Sequence, residues 1–89
     1  MERLELIEIR LRSALEPEIL QITDDSHLHA GHSGAKSGGG HFSVTIVSRH
    51  FKNKTTVQRH RMVYDALKDL IPKEVHALSI RALAPDEPG

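Results

Sequence analysis

Residues 24–41, DDSHLHAGHSGAKSGGGH, remove about a fifth of this 89-residue chain from any hydrophobic core. They hold five of the six glycines and four of the seven histidines (His27, His29, His32 and His41), and Leu28 is their only large aliphatic residue. A connection this long with no structure of its own is uncommon in a small domain and usually functional or disordered. The two apolar segments it separates must therefore build one core between them, since a chain of this length has no room for a second.

That core has to be aliphatic. The chain has two Phe, one Tyr and no Trp, and its hydrophobic fraction is 38%. Twelve basic and twelve acidic residues cancel, so net charge makes no case for a nucleic-acid or membrane protein, and only a local patch supports one. The absence of cysteine excludes disulfides, thiolate nucleophiles and Cys-ligated metal sites built from this chain alone. Glu2, Arg3, Glu5, Glu8 and Arg10 interrupt any apolar leader, and no run approaches the ~18 apolar residues of a membrane span. A soluble cytoplasmic protein is expected, or one of the mitochondrial matrix had a targeting segment been removed.

Residues 2–15 place Leu4, Ile7, Leu11 and Leu15 at helical spacing, and Pro17 ends that helix. Residues 18–23 (EILQIT) alternate as a short strand, and HFSVTIVS alternates Phe42, Val44 and Ile46 with Ser43, Thr45 and Val47. Residues 49–54 form a basic turn with Asn53 in a left-handed or turn conformation. Thr55 or Thr56 then caps a second helix, with Val57, Val63, Tyr64, Leu67, Leu70 and Ile71 as its apolar stripe and Pro72 at its end. VHALSIRAL is a last strand, with His76 on the same face as Leu78, Ile80 and Ala82. The predicted domain covers residues 1–84, and residues 85–89 form a flexible polar tail.

The order αββαβ predicts a two-layer α+β domain, a small three-stranded mixed sheet with helices on one face. The helix-containing link before the last strand is long enough for a crossover, so that strand pairs parallel to the second. The long loop and the starts of the second and third strands then share one end of the sheet. This topology gathers His29, His41 and His76 at one edge.

Neutral imidazole is a common metal ligand, and Asp24 and Asp25 are near enough in sequence to orient it. Arg49, Lys52, Lys54, Arg59 and Arg61 follow one another without an acid. A basic loop feeding a helix start suits phosphates or an acidic protein surface. Gly31-His32-Ser33-Gly34 has the spacing of the nucleic-acid-gripping GXXG loop of KH domains. It lies between strands rather than helices, which argues against that role. Ser26 and Asp25 form no recognisable catalytic pattern with the histidines, and no enzymatic activity is expected.

DDSHLHAGH, GGGHFSVTIVS, FKNKTTVQRHRMVYDAL and VHALSI, in that order, resemble the BolA family over residues 4–83. The resemblance implies a KH-like fold without a working GXXG loop, and an adaptor that pairs with monothiol glutaredoxins around a bridging [2Fe–2S] cluster. The glutaredoxin cysteine and glutathione hold one iron. The other is held by His76 of the HAL run and by a loop ligand, which matches His29, with His27, His32 and His41 behind it. Imidazole on one iron and thiolate on the other is the distribution that raises reduction potential in Rieske centres. No cofactor is expected tightly bound to the isolated chain, itself a monomer or weak homodimer. The family is also described as a DNA-binding transcription regulator, which would use Lys52, Lys54, Arg59 and Arg61 in the loop-helix 52–70. A stand-alone histidine-rich metal module is a third reading.

Overall fold

The first helix, α1 (Arg3–Leu15), buries Ile7, Leu11 and Leu15 of the stripe that its spacing predicts and half-buries the fourth, Leu4. It ends at Glu16, which takes a left-handed conformation (φ 46°) and donates its N–H to the Arg12 carbonyl at 3.1 Å. That conformation is uncommon for a residue other than glycine. The Glu16 carboxylate is held by His50 Nε2 at 3.0 Å and Arg49 Nη2 at 3.4 Å. The computed structural model describes residues 2–26 and 40–88. His27, His29, His32 and the Gly31/Gly34 spacing lie outside them.

The hairpin forms from β1 (Ile19–Asp24) and β2 (Gly40–Val47), paired antiparallel. After a 3₁₀ turn (Arg49–Phe51), helix α2 (Thr56–Ala66) carries the chain back to β3 (Val75–Leu83), which pairs parallel to β2. The sheet order is β1-β2-β3. One face of β2, Phe42, Val44 and Ile46, is sealed under both helices together with Phe51, Val63, Leu67, Leu70 and Val75. The other face carries no helix among the described residues. The expected two-layer α+β fold is the observed one. No helix among the described residues is long and apolar enough to cross a membrane.

Helix α2 starts as expected and ends earlier. Thr55 accepts from the Gln58 N–H at 3.1 Å while the Gln58 side chain accepts from the Thr55 N–H at 2.8 Å, a capping box. Asn53 precedes it at φ 63°. The helix stops at Ala66, well before Pro72. The Leu67 N–H is shared between the carbonyls of Val63 and Tyr64, and the Leu70 N–H reaches Leu67 at 2.8 Å. These tighter turns aim Leu67 and Leu70 into the core without extending the helix.

Two members of the expected stripe lie outside the core: Val57 is 62% exposed and Tyr64 41%. The inward position in the first turns belongs to Arg59, one helical turn from buried Val63. Val57, two residues earlier, is rotated about 200° from it.

Among the described residues after Leu83, Glu87 is tied back to the domain. The Glu87 N–H closes a turn onto the Ala84 carbonyl at 3.1 Å, and its carboxylate accepts the Ala84 N–H at 2.8 Å and grips Arg59. Ala84 itself is buried. The tail folds because a buried guanidinium needs a counter-charge.

Candidate functional site

The β2–β3 ladder contains one irregularity, and it lies at His76. Gly40 pairs with Val75, but His41 pairs with Ala77, so β3 carries one residue more than β2 at this point. Strict alternation would put His76 on the core face with Leu78. The extra residue instead lets Val75 occupy the core at 1% exposure and turns His76 outward, exposed. Bulges re-aim side chains in this way and are frequent beside functional sites. The face assigned to His76 by period two is thus corrected. Period two misses it because Val75 and Leu78 both pack inward although they are an odd number of residues apart.

The result is a histidine pair. The His41 and His76 rings lie with centroids 5.4 Å apart and planes tilted by 46°. His76 is exposed, whereas His41 is half-buried, with its Nε2 shut off from solvent. The backbone of His41 is fixed on both sides: its N–H donates to Ser26 Oγ at 3.0 Å and its carbonyl accepts from the Asp25 N–H at 2.7 Å. Asp25 also accepts a short hydrogen bond from the Ser43 hydroxyl, and Asp24 accepts from the Ser26 N–H at 2.9 Å. A cleft of about 140 Å³ opens beside His41, walled by Asp25, Phe42, Ala77, Leu78 and Ser79. Among the described residues no group of three or more acidic or histidine side chains is placed to hold a metal ion. Within them, His41 and His76 are the two imidazoles that stand side by side at this end of the sheet.

The expected convergence of histidines at one end of the sheet is met for His41 and His76. His29, the third member, is outside the described residues, as are His27 and His32. His60 lies half-buried in α2. His50 is at the opposite end of the sheet, against Glu16, where its hydrogen bond and then the Arg49 charge hold the Glu16 carboxyl below its ordinary range.

The basic segment divides. Lys52, Lys54 and Arg61 are exposed. Arg59 is only 9% exposed and does not share their surface. Its Nε donates to the Lys54 carbonyl at 3.0 Å and its Nη1 to the Ala82 carbonyl at 3.1 Å. Nη1 and Nη2 also hold Glu87 at 2.5 and 2.8 Å. Paired hydrogen bonds from Arg59, with the Ala84 N–H assisting, draw the Glu87 carboxyl down to about 2, and the same pairing raises Arg59. Arg59 is therefore corrected from a surface contact to an internal tie between the basic loop, the end of β3 and the C-terminal turn. Sequence reading missed Glu87, because nothing local distinguishes it from a solvated tail carboxylate.

A family model for BolA-like proteins matches residues 11–87. The chain is 41% identical over 83 residues to the SufE-like protein 1, chloroplastic/mitochondrial, of Arabidopsis thaliana, covering 88% of this chain but 22% of that protein. It is 36% identical over 83 residues to the DNA-binding transcriptional regulator BolA of Haemophilus influenzae, covering 93% of this chain and 78% of the relative. Among solved structures, BolA1 from Arabidopsis thaliana superposes with a TM-score of 0.84 at 36% identity, covering 100% of this chain and 99% of the other.

Proposed function

Because this chain belongs to the BolA-like family, we propose that it is an adaptor that binds a monothiol glutaredoxin and gives imidazole ligands to a [2Fe–2S] cluster bridging the two proteins. The observation that carries this reading is the bulge that turns His76 out of the core and beside a second imidazole. A buried structural histidine would need no such departure from the ladder. Imidazole binds a metal through a neutral ring nitrogen, and this chain has no cysteine with which to do the same. The cysteine of the glutaredoxin and the thiol of glutathione would supply the ligands that this chain lacks. When bound, the cluster supplies one-electron chemistry or is itself the cargo passed on. This chain's part is to hold His76 at the sheet edge, where a partner's surface can reach it. The resemblance to the family favours His29 as the second imidazole.

The test is to mix the protein with a cluster-loaded monothiol glutaredoxin and glutathione. The visible absorption and circular dichroism should change on mixing, and His76→Ala should abolish the change. An unaltered spectrum on mixing, or a His76→Ala complex indistinguishable from wild type, rejects the reading.

A second reading is a DNA-binding regulator, favoured by the Haemophilus influenzae relative of that name and by exposed Lys52, Lys54 and Arg61. These three cations beside the start of α2 suit phosphate contacts. On a chain of zero net charge they would give weak, strongly salt-dependent binding.

A further inference from the structure

We propose that the second imidazole ligand is His41, on strand β2, and that the metal-binding half-site of this chain is the His41–His76 pair rather than His76 with a loop histidine. The inference rests on the adaptor reading above and names the residues of that same site.

Three observations lead to His41. The first is distance. Two imidazoles on one tetrahedral ion, with metal–nitrogen bonds of ~2.0–2.1 Å, have ring centres about 5 Å apart. The His41 and His76 centroids are 5.4 Å apart, the spacing that one shared ion would set.

The second is the position of the bulge. One extra residue in β3 falls between the partners of Gly40 and His41. It therefore rotates His76 toward the face that His41 occupies and away from Phe42 and Leu78 below. A bulge elsewhere along the strand would not bring these two rings together.

The third is rigidity. His41 belongs to a paired strand, its N–H is tied to Ser26 and its carbonyl to Asp25, and its neighbour Phe42 is 2% exposed. Gly40, on its other side, is bonded through its N–H to the Glu74 carbonyl at 3.1 Å. Both imidazoles thus stand on the same two adjacent strands, and a site on strands is held more closely than one on a loop. Ligand placement is then set before the partner arrives.

The experiment uses the full chain in complex with a monothiol glutaredoxin and glutathione, its cluster reduced, and counts strongly coupled imidazole nitrogens by pulsed electron paramagnetic resonance. Wild type should show two. His41→Cys should keep a cluster but show one, with shifted visible bands, because a thiolate replaces an imidazole. His29→Ala should still show two. A nitrogen lost in His29→Ala, or two nitrogens retained in a folded His41→Cys complex, overturns the inference while leaving the adaptor reading standing. A wild-type mixture with no nitrogen-coupled cluster overturns both. Retention of two nitrogens when His27, His29 and His32 are all replaced by Ala decides the matter even if substitution at His41 unfolds the chain.

Discussion

At the scale of single residues, two small side chains carry weight that their chemistry does not advertise. Gly40 precedes His41 at the start of β2, and a methyl group there would collide with the Phe42 ring, whose Cζ would lie at 2.9 Å. Phe42 is packed in the core and has no room to retreat. Gly40→Ala should therefore cost about 1–3 kcal/mol by overpacking, measured by urea unfolding, and should disturb the His41–His76 geometry. Ser48 is fully buried, donates to the Leu15 carbonyl at 2.6 Å and accepts from the His50 N–H at 3.1 Å. It satisfies a carbonyl that the end of α1 leaves without a helical partner. Ser48→Ala should destabilise by about 1–3 kcal/mol, again by urea unfolding, whereas Ser48→Thr keeps the hydroxyl and tests fit alone. Neither role is visible in the sequence, where Gly40 reads as loop and Ser48 as a polar strand end.

Among the elements, α2 is the one that the sequence described best at its start and least well at its end. Its capping box is encoded locally in Thr55 and Gln58, so Thr55→Ala should cost about 1 kcal/mol, seen as a lowered urea midpoint with an unchanged slope. Its inner face is not local, because Arg59 is buried only where Ala82 and Glu87 arrive to receive it. The same helix shields the outer edge of β3: Arg59 reaches the Ala82 carbonyl, and Tyr64 Oη approaches that of Leu78 at 3.5 Å. An exposed Tyr64 thus has a task in covering a strand edge that would otherwise invite pairing.

The Arg59–Glu87 tie also gives the fold an acid-sensitive joint. The Glu87 carboxyl titrates at about 2 in the folded chain against an ordinary 4.5. Its stabilising contribution is therefore complete above the higher value and disappears as pH falls through the lower one. Melting temperatures of wild type and Glu87→Gln should differ near neutrality and converge as pH is lowered through that window.

For the whole molecule, the division of the basic segment separates two uses of positive charge. If the chain binds duplex DNA, neutralising Lys52, Lys54 or Arg61 should each lower the slope of log affinity against log salt by ~1, measured by fluorescence anisotropy. Arg59→Gln should instead lower thermal stability. The order of elements, the antiparallel hairpin, the parallel third strand and the gathering of histidines at one end were legible because periodicity, prolines and connection length are local properties with topological consequences. That His76 faces His41 was not legible in the same way, since it depends on Val75 winning a core position and forcing a bulge into a parallel ladder. The burial of Arg59 and the docking of Glu87 depend likewise on groups 23 and 28 residues away along the chain. By itself, then, the sequence determined which elements form and in what order they lie. Tertiary structure decided which way the functional side chains turn, because in a closely packed core the competition for inward positions is settled between strands and helices that are distant in sequence.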